Sequence, residues 1–340
     1  MSSKHIGRLA ALSAAVAGLF AASGPAVAQI QERNIRASIV LAKEHSLGQA
    51  MVEVARCAAD KSSGKLKIQN FFDAALGGDL PVIQQLRSGT LDIAVTSPSY
   101  FTGMAPGAAL WDLPFYFANE QEAEATLDGK AGKLLAEKLS GVGVVHLTYY
   151  NVGFRHTTNS KRPVQKMEDL HGLKIRSSQS PVVLDTFKAL GGFAVAMPFA
   201  EVYSALENKT IDGQENSIGL TETSKFYEVQ KYLSLTQHQY GPAMMIFSKP
   251  LFDKLSPQEQ AVLRDCASAS RDSQRALNRK QIDESLARMK TKGLQVNQIA
   301  PAEMERMRVA AKPVQEKYLK DLGSDMTAAA QEDLQRVRGR

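Results

Sequence analysis

Short apolar strands alternate with helices twice along this chain, and that alternation restricts the fold more than any other feature. Residues 35–42 read as a strand and 47–61 as a helix, because Met51, Val52, Val54, Ala55 and Ala58 recur on one helical face. Ser62-Ser63-Gly64 stops that helix, and 65–71 alternates apolar and polar like a half-buried strand. Asp79 is the expected N-cap of a helix running to 87, with Pro81 in its first turn. Gly89 turns the chain into a short apolar strand over 91–96. The pattern returns with strands over 172–176, 193–197 and 210–214 and helices over 182–190 and 200–207. Alternation of this length predicts an α/β fold built on a parallel sheet.

The two halves echo each other. Leu86, Thr90, Asp92 and Ser97 recur 120 residues later as Leu206, Thr210, Asp212 and Ser217. Gly64-Lys65-Leu66-Lys67-Ile68 resembles His171-Gly172-Leu173-Lys174-Ile175. Their consistent order favours two similar lobes. Ser256-Pro257-Gln258-Glu259 is a capping box with proline at the first helical position, and neither proline nor glycine follows until Gly293. A helix of about 36 residues would run about 54 Å, enough to brace both lobes. The alternative is two helices broken near 268–273, where only Ala269 is not polar. Residues 301–338 read as two terminal helices with a break at Pro313.

Residues 1–28 have the form of a secretory signal peptide. Lys4, His5 and Arg8 precede an apolar run over 9–22, and Ala26-Val27-Ala28 offers a small-x-small cleavage site. The run is shorter than the roughly 20 residues of a spanning helix. A mature protein of 312 residues would then reach a bacterial periplasm. Removing the segment leaves 39 basic against 35 acidic residues. That scattered excess argues against nucleic-acid binding. At 44% hydrophobic and 22% charged residues the chain is globular, and its length suits about two domains. Cys57 and Cys266 could pair in an oxidising compartment or remain separate core residues. Six dispersed histidines, with no CxxC or HExxH, give no metal site.

The motifs of catalysis and cofactor binding are missing. There is no GxSxG elbow and no Walker A loop. Gly141-Val142-Gly143 begins like a dinucleotide fingerprint but lacks the third glycine and leads into a strand. Gly77-Gly78 reads as a turn. Strand ends carry cations and amides instead. Arg176 ends the 173–176 strand, Arg155 follows a strand over 142–150, and Asn216 lies just past the 210–214 strand. Ligands of open α/β sheets bind outside the carboxyl ends of strands, where an arginine fork matches a carboxylate. Salt bridges are the competing role for Arg155 and Arg176. His45, just past the first strand, is a weaker candidate.

These segments carry a resemblance. Asn151-Val152-Gly153-Phe154-Arg155-His156-Thr157-Thr158-Asn159-Ser160-Lys161-Arg162-Pro163 resembles the N-G-F-R-x-x-T-N-x-x-R-P segment of the DctP-type substrate-binding proteins of TRAP transporters. Leu170-His171-Gly172-Leu173-Lys174-Ile175-Arg176 is similar to their D-L-x-G-L-K-I-R, and 197–206 to M-P-F-x-E-V-Y-x-A-L. Ile211-Asp212-Gly213-Gln214-Glu215-Asn216 resembles V-D-G-Q-E-N, and 226–233 matches F-Y-E-V-Q-K-Y-L. Gly89-Thr90-Leu91-Asp92-Ile93-Ala94 and Leu113-Pro114-Phe115 also fit.

The resemblance implies a two-lobed periplasmic-binding-protein fold with a long helix spanning both lobes. The lobes would interleave, one from 29–152 plus 242–281 and the other from 153–241 plus 282–340. It implies that Arg176 pairs with a substrate carboxylate, supported by Arg155 and Asn216, with Ser97 and Tyr240 lining the pocket. The family often has proline after the Q-E-N asparagine, whereas Ser217 stands here and could offer its hydroxyl to the ligand. The implied function is capture of a small organic acid by cleft closure and delivery to the membrane permease. C4-dicarboxylates, uronates and other sugar acids, and 2-oxo acids are the family's range. A monomer without cofactor is expected. A sensor partner or an enzyme on the same scaffold are the alternatives, and the second lacks a nucleophile–base pair. Trp111 could report closure or simply fill the core.

Overall fold

The computed structural model describes residues 29–339, so the expected signal peptide lies outside the described residues. The first unit is β1 (Arg33–Ser38), α1 (Ser46–Lys61), β2 (Leu66–Phe71), α2 (Asp79–Ser88) and β3 (Ile93–Thr96). Two 3-10 turns follow, Pro98–Phe101 and Pro106–Asp112, then α3 (Glu120–Asp128), α4 (Lys130–Gly141) and the long strand β4 (Val144–Asn159). The second unit is β5 (Lys174–Ser177), α5 (Pro181–Ala189), β6 (Phe193–Ala196), α6 (Val202–Glu207) and β7 (Gly213–Ser217). After it come α7 (Ile218–Thr223), the long strand β8 (Tyr232–Ser248), α8 (Lys249–Phe252), α9 (Pro257–Thr291), β9 (Gln295–Gln298), α10 (Pro301–Asp321) and α11 (Ser324–Arg338).

All the strands join one sheet in the order β2-β1-β3-β8-β4-β7-β5-β6, with β9 beside β8. β1, β2 and β3 are parallel to one another, as are β5, β6 and β7. The antiparallel β4–β8 ribbon lies between the two groups. β3 pairs with the Met244–Phe247 end of β8, whereas β7 pairs with the Arg155–Asn159 end of β4. Each long strand therefore serves both lobes. The ribbon changes register at three places, including Asn151/Gly153 and Arg155/Thr157. Such bulges bend a ladder and increase its twist, and here they lie where the ribbon passes between lobes.

The sequence echo has a structural cause. The Asp92 carboxylate accepts from the Arg36 N–H of β1, and Asp212 accepts from the Lys174 N–H of β5, at 2.9 and 2.8 Å. Ser97 and Ser217 each cap the turn that follows their strand. Leu86 and Leu206 are both buried. The same tasks recur because the same β-α-β-α-β unit recurs.

α9 is one 35-residue helix, about 52 Å long. Its capping box forms as expected: Ser256 Oγ accepts from the Glu259 N–H, and Glu259 accepts from the Ser256 N–H. The polar run at 268–273 does not break it, because its buried face meets polar partners. Ser270 bonds the Tyr150 hydroxyl at 2.7 Å. Gln274 donates to the Asn151 carbonyl and accepts from the Asn151 N–H, at 2.7 and 3.1 Å. Asn151 stands at a bulge opposite Pro242, which has no N–H to give. Gln274 thus completes the backbone bonding that the ribbon leaves open. α9 packs on α1 at one end and on α7 further along. A Cys57–Cys266 disulfide, with Cα atoms 5.6 Å apart, fastens it to α1.

Two local expectations are corrected. Pro313 does not end a helix; α10 runs through it, and the break falls at Leu322–Gly323, where Gly323 has φ +91°. A mid-helix proline costs about 3 kcal/mol. Burial of Met307, Ala311 and Val314 along one side of α10 offsets it. Asp79 is not the N-cap of α2. Gly78 occupies that place, and the Asp79 carboxylate turns to Thr96 instead. Trp111 is wholly buried, its indole N–H donating to Thr126 Oγ1 at 3.0 Å.

Candidate functional site

The carboxyl ends of β3, β5 and β7 converge on the middle of the β4–β8 ribbon, and the space between them is a cleft of about 690 Å³ including its mouth. Apolar side chains such as Ile39, Leu47, Val152 and Leu220 make one part of its wall. Arg176, Arg155, Asn216 and Ser97 all line it, together with Asp79, Tyr100 and Gln239.

Arg176 is next to the last residue of β5 and is only 1% exposed. Its Nε and Nη2 both donate to the Met197 carbonyl, at 3.0 and 2.7 Å. The Phe199 ring lies 5.7 Å from its Cζ. Nη1 has no hydrogen-bond partner among the described residues, and the guanidinium makes no ion pair with any of them. Burial depresses its pKa, yet an arginine stays charged. A buried cation without a counter-ion costs several kcal/mol. The fold therefore holds a charge that an anion in the cleft would balance.

Arg155 is placed differently. Glu215 of β7 grips it through Nε and Nη2, at 2.5 and 2.9 Å, and the Glu215 carbonyl accepts a third bond at 2.7 Å. His238 Nε2 stands 3.3 Å from the same carboxylate. Burial alone would raise the Glu215 pKa, but Arg155 and His238 outweigh it and hold it at about 2. Arg155 thus lines the cleft as half of an ion pair. Asn216 donates to Gln214 Oε1 at 2.9 Å, which fixes its amide beside Arg176 in the wall.

Three residues expected at the ligand are engaged elsewhere. Tyr240 points away from the cleft, because its neighbours Gln239 and Gly241 face it and side chains alternate along a strand. Its ring packs edge-on against Phe154, with centroids 5.3 Å apart. Ser217 spends its hydroxyl capping α7, accepting from the Leu220 N–H at 3.4 Å. His45 caps α1, where Nδ1 accepts from the Leu47 N–H at 3.1 Å. Burial lowers its pKa to about 4, so it is neutral.

Other wall residues were missed from sequence. Asp79 accepts from Thr96 Oγ1 at 2.6 Å, and the Tyr100 hydroxyl approaches the same carboxylate. Burial raises the Asp79 pKa, against the pull of those two groups and of Arg176. Beneath the wall, the buried Asp112 accepts from Ser99, Gln239 and Ser180, at 2.5, 2.7 and 2.6 Å. Period-two alternation would have exposed Gln239; nothing local marks Asp79. Among the described residues no cluster of His, Cys, Asp or Glu is fit to hold a metal, and no helix is long and apolar enough to cross a membrane.

The family model for bacterial extracellular solute-binding protein, family 7 (DctP), matches residues 37–321. A sugar acid binding protein from Advenella mimigardefordensis, solved in complex with galactonate, is 37% identical with a TM-score of 0.88, covering 90% of this chain and 99% of that one. A TRAP periplasmic solute binding protein from Polaromonas, bound to D-erythronate, is 32% identical with a TM-score of 0.84, covering 88% and 98%. The 2,3-diketo-L-gulonate-binding periplasmic protein YiaO of Escherichia coli K12 is 40% identical over 237 residues, 70% of this chain and 72% of the relative. Fold and comparisons agree that the chain belongs to the DctP family of TRAP transporter solute-binding proteins, which bind small organic acids.

Proposed function

We propose that this protein takes up a sugar acid in the periplasm, holds its carboxylate on Arg176 and hands it to a TRAP membrane permease. The supporting observation is the buried, unpaired guanidinium of Arg176, whose Nη1 lacks a protein partner among the described residues. A carboxylate leaving water needs a fixed cation, and Arg176 offers one already oriented by Met197. Arg155 and Asn216 complete that end of the site. The sugar acids bound by the relatives favour an aldonate-like ligand.

The ribbon is the proposed hinge. One lobe comprises 29–152 and 242–281, and the other 153–241 and 282–321. α11 is better grouped with the first lobe than with the second, because it packs on α3 and α4. A ligand touching both lobes favours the closed form by its extra affinity for it.

Calorimetry with galactonate, erythronate and 2,3-diketogulonate tests the proposal. At least one should bind, and Arg176→Ala should stay folded while binding weakens by roughly 3–5 kcal/mol, two to four decades in Kd. Undiminished affinity in that variant would remove Arg176 from the role. Arg176→Lys should also bind poorly, since an ammonium lacks the fork.

A further inference from the structure

We propose that Asp112 is a positioning residue for ligand capture: from beneath the cleft wall it fixes which end of the Gln239 amide is left for the ligand. Asp112 has this role only if the cleft takes the ligand, as proposed above; neither Arg176 nor the identity of the acid enters. Asp112 closes the Pro106–Asp112 turn and is 1% exposed. Its Oδ1 accepts from Ser99 Oγ at 2.5 Å and from Gln239 Nε2 at 2.7 Å, and its Oδ2 accepts from Ser180 Oγ at 2.6 Å. Ser99 and Gln239 line the cleft, whereas Asp112 stands behind them. Ser180, wholly buried, is the residue before α5. Hydroxyls from both lobes thus grip the carboxylate and set the direction in which Oδ1 meets Gln239.

Direction is the point of the arrangement. An ionised carboxylate only accepts hydrogen bonds, so Gln239 must turn its NH2 end toward Asp112. The other end, Oε1, is buried and has no partner among the described residues. A wall residue 5% exposed therefore keeps an acceptor in reserve, and a buried acceptor without a partner is costly. A ligand hydroxyl donating to Oε1 removes that cost. Nothing but Asp112 holds the amide this way round: Nε2 makes its one hydrogen bond there. The charge has a cost of its own. All three partners are neutral, and burial raises the Asp112 pKa to about 6, against the Ser180 and Ser99 hydroxyls and Arg155, with Glu215 adding to the rise. At neutral pH the fold carries a carboxylate where asparagine has the same shape and no charge to desolvate. A buried, perturbed acid directly behind a ligand cleft fits a functional role better than a packing one.

Calorimetry at neutral pH, with the tightest binder among galactonate, erythronate and 2,3-diketogulonate, tests the assignment. Asp112→Ala and Gln239→Met should each weaken binding at least about tenfold, one decade in Kd, with circular dichroism unchanged. Adding Asp112→Ala to Gln239→Met should cost no more than about threefold further, because the first residue acts through the second. Asp112→Asn can meet Gln239 with either end of its amide, so direction is no longer enforced; it should stay folded and bind at least about threefold more weakly. It carries the test alone if Asp112→Ala does not fold. Nuclear magnetic resonance supplies a readout that a packing role would leave still. One side-chain amide pair, identified by its loss in Gln239→Met, should lie downfield and exchange slowly in the wild type, and should move upfield in Asp112→Asn. Wild-type affinity in Gln239→Met, losses that add in the double variant, or an amide pair that Asp112→Asn leaves in place each overturns the proposal. If none of the three acids binds the wild type, the proposed function falls and takes this role with it. If Arg176→Ala binds undiminished, only Arg176 loses its role, and the Asp112 and Gln239 variants still decide theirs.

Discussion

Arg155 and Arg176 line the same cleft, yet the fold treats the two guanidinium groups in opposite ways. Glu215 and its carbonyl hold Arg155. Only a backbone carbonyl holds Arg176. Glu215→Gln should therefore cost roughly 3–5 kcal/mol of stability, because it leaves a buried cation unpaired. Urea unfolding checks this, and the double variant Glu215→Gln with Arg155→Met should lose less than the sum of the singles. The pH sense follows from the same pair. Glu215 titrates at about 2 in the fold against an ordinary 4.5, so its contribution is present above 4.5 and is lost as the pH falls toward 2. The place of Arg155, Arg176 and Asn216 in the cleft wall was legible in the sequence because strand ends and family motifs mark them. The distinction between the paired and the unpaired arginine was not, since it depends on which strand β7 lies beside. Ser217 and Tyr240 misled for local reasons: a hydroxyl at a strand end is as useful to a helix as to a ligand, and a one-residue step along a strand reverses its face.

Among the elements, the Pro106–Asp112 turn has the most consequential contact. Asp112 ties it to the Pro98–Phe101 turn through Ser99, to β8 through Gln239 and to the start of α5 through Ser180. Burial raises its pKa to about 6, opposed by the Ser180 and Ser99 hydroxyls and by Arg155, while Glu215 adds to the rise. A carboxyl raised in this way stabilises the fold while protonated, and that contribution is lost as pH climbs from about 4 through about 6. Ionising it in the folded state costs roughly 3 kcal/mol. Urea midpoints of wild type and Asp112→Asn, compared from pH 4 to 7, should diverge with wild type losing ground until about pH 6 and then run parallel. Most elements were visible in advance because propensity and burial agreed there. Pro313 was misplaced because packing along α10 outweighed a local penalty. The polar stretch of α9 left its continuity open because its partners, Tyr150 and Asn151, lie about 120 residues away.

For the whole molecule, the disulfide is the longest covalent shortcut. It joins residues 209 apart in sequence, and cysteine composition alone had left the pairing open. In the chain-entropy account a loop of that size is worth about 5 kcal/mol at most. Cys57→Ser combined with Cys266→Ser should lower unfolding free energy by roughly 2–5 kcal/mol. Ligand affinity should change no more than a few-fold, because neither residue lines the cleft. The sheet order has a consequence for how such a chain comes into being. β8 lies between β3 and β4, so a growing chain that ends before Tyr232 has no strand to join its halves. Long-range pairing of this kind is slow to reward the entropy it costs. Each half of the sheet can pair on its own, but most of the polypeptide must be made before the two halves can be joined, so the cleft between them is among the last features the chain can complete.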